Sequence, residues 1–527
     1  YGEQTNGPAM TSEPVADTTS LDPPAESSAP VVLWFVPLLG VILTPGLLWI
    51  VEEQPMAARV ELALAMTAVV LLVAILLLAV VSAGFRRRIR WSTAVATIAV
   101  LVTFQWPTLT YAGRALETSL PIPFLVDVFP VAIAVAFLWV AIRLGGEWPF
   151  VAITGFGVWL IVVVLAASTL SYVDRSTPTP PAAVAPDGQP DVMVIVLDAY
   201  TRADTLQSHF GFDNTPLLRE LEQLGFQIAT AANSNYSFTY ASIASILDLS
   251  YVFQAGPVTG DQHEAMRNAL GGNGALPRYF RESGYEIAYL ENAWGGSHCG
   301  AAVDICIRDG FVERTLWNSG QVTILAPLLS ATRPHPFNTV SLEHLESLPD
   351  YLSAERTNGV PRLTFAHIIL PHQPFLLDAQ CEQHNTAVRR ALTVRPEWLA
   401  ERSVYYAAQL ACTNTKLVES LKQIIAGRPD TVIMITGDHG SMSTRTANEP
   451  VEDWSDEEVA ERMSILSAYR LPGCESLLYS SITPVNGARA MTSCALGLDI
   501  GTVADTALWA PHNGRGIVTD VTNRLDD

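Results

Sequence analysis

Five long apolar runs occupy the N-terminal third of this 527-residue chain, and they restrict its fold more than any other feature. Each run has about 20 residues or more, the length that a helix needs to cross the hydrocarbon core of a bilayer. Helices satisfy their backbone polar groups internally, as that environment requires. We therefore predict a multi-pass α-helical membrane domain over residues 31–172. The predicted spans are 31–51, 60–85, 91–113, 122–142 and 148–171.

The loops between these runs predict the orientation of the membrane domain. The loop after the second run carries four arginines within residues 86–90, and the loop after the fourth begins with Arg143. Short loops rich in Arg and Lys remain in the cytoplasm. With five spans, this rule places the N-terminus in the cytoplasm and everything after residue 172 outside it. The sequence thus predicts a cell-membrane protein whose globular part is extracytoplasmic.

Composition divides the rest of the chain into three parts. Residues 1–30 are rich in Pro, Ser, Thr and acidic side chains, and we predict a disordered cytoplasmic tail without the basic start of a signal peptide. Residues 173–190 form a Pro/Ala linker, and residues 191–527 form the globular domain. The formal net charge of −21 argues against nucleic acid as a partner. No heptad or repeat indicates an oligomeric state.

All six cysteines lie in the globular part, and none lies in the apolar runs. An even number confined to one domain suggests disulfides and an oxidising compartment, in agreement with the orientation from the loops. Order along the chain suggests pairing between neighbours, although other pairings and buried free thiols are alternatives. The neighbouring pairs are Cys299–Cys306, Cys381–Cys412 and Cys474–Cys494.

Two aliphatic runs in the globular part predict strands that are buried on both faces. Residues 192–197 end at Asp198, and residues 431–436 are followed by Gly437 and Asp438. Helical patterns, among them 215–225 and 403–426, lie between them. Such alternation predicts an α/β layered fold, in which reactive groups collect beyond the carboxyl ends of the strands. Both aspartates stand at such ends.

Three further segments carry side chains that are suited to chemistry. Thr239 stands where a polar loop changes into a helical pattern, a position that suits a nucleophile near an anion but also an ordinary helix cap. His439 directly follows Asp438 in a Gly-flanked turn, and together they offer an oxygen and a nitrogen to a divalent ion. His367 and His372 lie near a predicted strand end before Pro374. Lone histidines are more often structural than catalytic, but for two that flank a strand bounded by Pro the structural and catalytic interpretations are about equal.

The ordered set of these segments resembles the alkaline phosphatase superfamily. The similarity is strongest to its sulfatase-like membrane branch, which includes lipoteichoic acid synthase and the phosphoethanolamine transferases. A first strand that ends in an acid (VIVLDAY), a nucleophile loop, an H-x-P segment and a DHG turn are the landmarks of that family, as are five N-terminal spans. The resemblance covers about residues 31–510 and implies a sulfatase-like catalytic domain.

The resemblance also implies roles for individual residues. Asp198, Asp438 and His439 match metal ligands, with one divalent ion, zinc or manganese, as the expected cofactor. Thr239 matches the nucleophile and the fourth ligand. His372 matches the histidine that meets the transferred group, and His367 is a second candidate for that pocket.

Two departures from the family pattern refine the expectation. Formylglycine, which sulfatases make from Cys or Ser, has no source in Thr239, so a phosphate ester is favoured over a sulfate ester. Ser441 stands where many relatives carry Glu after the DHG turn.

The expected activity is transfer of a phospholipid-derived group, of the phosphoglycerol or phosphoethanolamine type, to an envelope glycan through a phosphothreonine. The partners would be a phospholipid donor in the membrane and the glycan acceptor. A membrane-anchored phosphodiesterase or sulfatase-like hydrolase is one alternative. A non-catalytic membrane scaffold is another, disfavoured by the intact set of candidate ligands.

Overall fold

A computed structural model describes most of the predicted globular domain. The described residues are 188–290, 299–300, 302–307, 336–353, 359–384, 399–443, 450–511 and 516–525. Among their helices, none combines the length and the apolarity that a membrane span requires. The predicted tail, the five predicted spans and most of the predicted linker lie outside the described residues, so the membrane domain stays a prediction.

Ten strands and ten α-helices make up the described part of the chain. The strands are β1 Val192–Leu197, β2 Gln227–Ile228, β3 Gly256–Pro257, β4 Glu286–Leu290, β5 Ile305–Ile307, β6 Arg362–Ile368, β7 Val432–Gly437, β8 Ser467–Arg470, β9 Leu508–Trp509 and β10 Ile517–Asp520. The α-helices are α1 Ala203–Phe210, α2 Thr215–Gln223, α3 Thr239–Asp248, α4 Gly260–Asn268, α5 Ala275–Glu282, α6 Pro336–Glu346, α7 Leu348–Ser353, α8 Leu399–Gly427, α9 Asp456–Met463 and α10 Pro484–Leu496.

A seven-stranded sheet with the order β2-β8-β7-β1-β6-β4-β5 forms the centre of the domain. Strands β7, β1, β6, β4 and β5 run parallel, and β8 and β2 continue the sheet in antiparallel pairing. A small antiparallel sheet of β3, β10 and β9 lies apart from it. The predicted α/β layered fold is thus confirmed for the described residues.

Strand β1 shows why the sheet is covered on both faces. Every residue of β1 is completely buried, as expected for a central strand of a parallel sheet. Alternate side chains point to opposite faces. Val192, Val194 and Val196 join one core, which includes α3, α5 and α10. Met193, Ile195 and Leu197 join the other, which includes α1, α2, α7 and α8. The result is a three-layer α/β/α arrangement.

The predicted elements agree with the structure to within a few residues. Strand 192–197 is found as predicted, and strand 431–436 is shifted by one residue to Val432–Gly437. The helix predicted over 215–225 ends at Gln223, where Leu224 and Gly225 turn the chain toward β2. Helix α8 contains the whole of the predicted 403–426.

Three disulfides confirm the pairing between neighbours in sequence. Cys299–Cys306, Cys381–Cys412 and Cys474–Cys494 join residues 7, 31 and 20 positions apart. The alternative of free thiols is excluded, because every cysteine of the chain is paired.

Candidate metal centre

Asp198 and Asp438 lie side by side because their strands are neighbours in the sheet. In the register of β1 and β7, Leu197 stands opposite Gly437, so the next residue of each strand reaches the same edge. Both aspartates are completely buried. The predicted meeting of the two acids at the carboxyl ends of parallel strands is therefore what the structure shows.

The carboxylate of Asp438 is held by the backbone on one side. Its Oδ1 accepts hydrogen bonds from the backbone N–H of Ala199 at 3.0 Å and from that of His439 at 2.9 Å. Its Oδ2 lies 3.3 Å from Nε2 of His439. The backbone thus fixes one oxygen and leaves the other beside the imidazole.

His439 presents Nε2 to the two aspartates. Its Nδ1 lies 3.0 Å from the carbonyl oxygen of Gly440, and because a carbonyl only accepts, Nδ1 carries the proton. Nε2 lies 3.8 Å from Oδ1 of Asp198. Burial, followed by the charge of Arg462, lowers the pKa of His439 well below its ordinary value. The imidazole is therefore neutral, with the Nε2 lone pair directed into the cluster.

Thr239 completes the group from a helix N-terminus. It is the first residue of α3, and Phe238 occupies the N-cap position, so the sequence-based alternative of a Thr cap is wrong. The Thr239 hydroxyl lies instead 3.0 Å from Nε2 of His439. The side chain is buried, and the start of α3 contributes the positive end of its dipole at this point. Three of the predicted ligands and the predicted nucleophile are thus brought together.

The unsatisfied oxygens of this cluster fit a divalent cation. One ligand atom from each of Asp198, Asp438 and His439 lies within 4.8 Å of the others. Asp198 Oδ1 accepts no hydrogen bond within the described residues, while Asp198 Oδ2 and Asp438 Oδ2 each lie 3.3 Å from an imidazole nitrogen, of His367 and His439 respectively. Buried carboxylate oxygens without partners are costly unless a cation compensates them. Two oxygens, a nitrogen and a hydroxyl suit zinc or manganese.

The pKa values of the two aspartates shift in opposite directions. Burial, strengthened by the negative charge of Asp198, raises the pKa of Asp438 to about 7. Burial would also raise the pKa of Asp198, but His372, His367 and His439 outweigh it and hold that pKa below its usual range. Like charges that are packed this closely repel one another, and a bound cation relieves that repulsion.

His367 lies deeper than the sequence predicted. It is a completely buried residue of β6, next to β1, and its Nε2 lies 3.3 Å from Oδ2 of Asp198. Partners of this kind orient metal ligands in many proteins. This position favours a role for His367 in orienting Asp198 over the contact between His367 and substrate that the sequence suggested.

His372 lies in the loop after β6, at the entrance to the cluster. The Leu370–Pro371 and Gln373–Pro374 peptide bonds of this loop are both cis. The His372 ring is half-buried, and its centroid lies 6.4 Å from that of His439. Its Nδ1 donates to the carbonyl of Gln373 at 2.6 Å, which leaves Nε2 as the nitrogen that exchanges a proton. His372 thus lines a pocket beside the cluster, and its role in the reaction stays a prediction.

Arg462 is a member of the site that sequence reasoning missed. Its guanidinium is buried and donates to the carbonyl of Ser237 through Nε at 3.0 Å and Nη2 at 2.8 Å. Nη1 donates to the carbonyl of Gly440 at 3.1 Å. One side chain therefore ties the loop before Thr239 to the turn after His439. In the sequence Arg462 is an ordinary arginine more than 20 residues after His439, and no motif links it to the site.

A small, solvent-open pocket with a cavity volume of about 40 Å³ lies beside the cluster. His372 and Arg462 line it together with Ser441, Ser443 and Tyr406. Its remaining walls are partly apolar, with Phe210, Phe375 and Met442 among them. The pocket therefore presents both polar and apolar side chains beside the candidate metal ligands.

Comparison with solved structures identifies the proteins that this chain resembles. The zinc complex of the C-terminal periplasmic domain of EcEptC from Escherichia coli matches with 10% identity and a TM-score of 0.39, over 65% of this chain and 96% of that one. The integral membrane protein lipooligosaccharide phosphoethanolamine transferase A (EptA) from Neisseria meningitidis matches with 14% identity and a TM-score of 0.37, over 88% and 95% of the two chains.

A putative sulfatase from Bacteroides thetaiotaomicron also matches, with 14% identity and a TM-score of 0.37, over 62% of this chain and 78% of that one. Phosphoethanolamine transferases and sulfatases are the groups that the sequence motifs resembled. No family model and no curated protein matches the chain. At these scores and identities, the fold and the site rest on the strand order and the side-chain geometry described above.

Proposed function

We propose that the protein is a metal-dependent phosphotransferase of the alkaline phosphatase type, which moves a phospholipid-derived group to an envelope glycan. The observation that carries the proposal is the position of the Thr239 hydroxyl, 3.0 Å from Nε2 of His439 and beside two buried aspartates. Zinc or manganese would be held by Asp198, Asp438, His439 and Thr239. A bound cation of this kind lowers the pKa of a hydroxyl and polarises a phosphoryl oxygen.

The residues of the chain divide the chemistry between them. The Thr239 oxygen, after its proton leaves to water, forms a bond to phosphorus while the bond from phosphorus to the diacylglycerol oxygen breaks. Protonated His372 gives its Nε2 proton to that leaving oxygen. The product on the protein is a phosphothreonine diester that carries the headgroup. Arg462 and the N-terminus of α3 stabilise the negative charge of the transferred group.

The second half of the reaction regenerates Thr239. A hydroxyl of the acceptor attacks phosphorus, gives its proton to neutral His372, and displaces the Thr239 oxygen, which takes a proton back from water. A glycan hydroxyl yields transfer, and water yields hydrolysis. The predicted membrane domain favours a phospholipid as the donor in either case, because it would hold the site near a leaflet that supplies this lipid. The extracytoplasmic location is supported by the three disulfides, which form in oxidising compartments.

The test is a lipid assay with the full chain purified in detergent and loaded with zinc or manganese. Phospholipid that is labelled in the headgroup should give diacylglycerol, with the label passing to an added envelope glycan. Headgroup released freely, at the same rate with and without the glycan, would identify a phosphodiesterase instead. Cleavage of a sulfate ester without cleavage of any phosphodiester would overturn the proposal.

A further inference from the structure

Three hydroxyls that line the pocket beside the metal centre have their protons directed away from it. Ser441 Oγ donates to Oε1 of Glu461, and Ser443 Oγ donates to Oε2, each at 2.8 Å. Tyr406 donates its proton to the carbonyl of Ala199 at 2.9 Å. A hydroxyl has one proton to donate, so the oxygens of Ser441 and Ser443 have only acceptor capacity left for a ligand, whereas the Tyr406 oxygen already accepts the backbone N–H of Thr201 at 3.3 Å.

Glu461 fixes the direction of the two serine hydroxyls. Its carboxylate is almost completely buried, with 2% exposure, and each of its oxygens receives one serine hydroxyl. A buried carboxylate holds such donors strongly, because hydrogen bonds to an ionised acceptor are stronger than those between neutral groups. The serine protons are therefore committed to Glu461, and a ligand meets serine oxygens that are polarised by a negative charge behind them.

Donors and positive charge also line this pocket. Arg462 has three of its five N–H groups committed to carbonyl oxygens and keeps a full positive charge beside the candidate ligands. His372 lines the pocket as well, near His439. A phosphate is matched by Arg462 and His372, whereas the oxygens of Ser441 and Ser443 suit a group that donates hydrogen bonds.

We propose that Ser441 and Ser443, backed by Glu461, form a subsite that recognises the far end of the transferred headgroup through its hydrogen-bond donors. The ligand class is a phosphodiester whose short alkyl group ends in an ammonium or a hydroxyl, and Phe210, Phe375 and Met442 provide apolar walls for the methylenes. This inference rests on the proposed function, and it adds the residues and the chemistry that select the donor lipid.

The experiment compares three phospholipids with one diacylglycerol and different headgroups: ethanolamine, glycerol and propanol. The propyl headgroup fills a similar volume without a terminal donor. With the metal-loaded full chain in detergent, kcat/KM for diacylglycerol release should be about tenfold or more higher for ethanolamine or glycerol than for propyl, as two added hydrogen bonds imply. The Ser441→Ala/Ser443→Ala double variant should reduce that preference to about twofold or less.

A binding measurement keeps the proposal testable if the variant turns over slowly. Calorimetry with the parent protein should show that phosphoethanolamine and glycerol 3-phosphate bind more tightly than propyl phosphate. In the double variant the three affinities should become nearly equal. Ser208→Ala, at an exposed site on α1, is the matched control and should keep the order. Circular dichroism establishes that each variant is folded.

The outcomes are distinct. A preference for ethanolamine that falls in Glu461→Gln, with glycerol unaffected, supports the subsite and identifies an ammonium. If Glu461→Gln lowers the preference for ethanolamine and for glycerol equally, the subsite is supported and the group it recognises is a neutral hydroxyl-type donor. Equal kcat/KM for all three lipids, or a preference that survives the double variant, overturns the subsite and leaves the proposed function standing. No diacylglycerol from any of the three lipids overturns the proposed function, and the subsite with it.

Discussion

The hydroxyl of Thr239 lies 3.0 Å from Nε2 of His439, although 200 residues separate the two in the chain. The contact exists because α3 begins at the edge of the sheet where β7 ends. The same imidazole nitrogen lies 3.3 Å from Asp438 Oδ2 and 3.8 Å from Asp198 Oδ1. A hydroxyl, an imidazole and two carboxylates therefore converge on one point, and the following predictions test what that convergence does.

Replacement of Arg462 should impair catalysis more than stability. Arg462→Ala removes the side chain that joins the carbonyls of Ser237 and Gly440, so the nucleophile and a metal ligand lose their common support. We expect kcat to fall about 100-fold, the effect of a displacement near 1 Å, with Arg462→Lys intermediate and Arg462→Ala partly rescued by added guanidinium. Steady-state kinetics of diacylglycerol release measures this.

Arg489 is the matched control for that experiment. Like Arg462 it donates three hydrogen bonds to carbonyl oxygens, here those of Gly501, Leu249 and Ile500, but it lies outside the candidate site. Arg489→Ala should lower the free energy of unfolding by about 1–3 kcal/mol and leave kcat of the folded protein unchanged. An equal fall of kcat in both variants would contradict a positioning role for Arg462.

Metal affinity should rise with pH up to about 7 and then level off. The pKa of Asp438 is raised to about 7 by burial and by Asp198, so below that pH the incoming cation must displace one proton from Asp438. The pKa values of Asp198 and His439 are lowered, so neither contributes a proton. The association constant for zinc should therefore increase about tenfold per pH unit between about pH 5 and 7.

Calorimetric titration of the metal-free protein measures that slope. Asp438→Asn has no proton to displace, so its weaker binding should not follow the same slope. An affinity that is flat across this range, or one that rises about a hundredfold per unit, would contradict the assignment of a single displaced proton.

His367 should act through Asp198 and not through substrate. Loss of a side chain that orients a metal ligand weakens metal binding by about 10- to 100-fold. We expect His367→Gln to show that loss in a zinc competition assay while KM at saturating zinc stays near the parent value. His209→Gln, on the exposed face of α1, is the control and should change neither quantity. A raised KM with unchanged zinc affinity would return His367 to the substrate pocket.

Gly440 should tolerate no side chain, because the turn after His439 packs against backbone. A Cβ at this position would contact the carbonyl oxygens of Glu461 and Ser464, the latter at 2.7 Å. Gly440→Ala should therefore lower the free energy of unfolding by about 1–3 kcal/mol and weaken zinc binding. Gly427→Ala, at the end of α8 with open space around it, should be neutral or slightly stabilising. Urea denaturation compares the two.

Much of this fold was predictable because its signals are local. A buried parallel strand appears as a continuous aliphatic run, and residues 192–197 were bounded correctly for that reason. The disulfides followed chain order because each joins residues at most 31 positions apart. The register of β1 with β7 was not predictable, because it depends on pairing between distant strands.

The site was predictable where residue type and position coincide. Asp198, Asp438 and His439 follow strand ends, where parallel sheets collect their reactive groups. The roles of Arg462 and Glu461 were not predictable, because both depend on how α9 packs against the turn after β7. The position of His367 beside Asp198 was not predictable, because it depends on the pairing of β6 with β1.

The most direct test of the central claim is whether Thr239 becomes covalently modified. The metal-loaded full chain is mixed with headgroup-labelled phospholipid, quenched in acid within the first turnover, and digested for mass spectrometry. We predict that the peptide containing Thr239 gains the phosphate and its headgroup, that Thr239→Ser gains it on serine, and that Thr239→Ala gains none and releases no diacylglycerol. Diacylglycerol release that persists in Thr239→Ala, or a label on any other residue, would contradict this account.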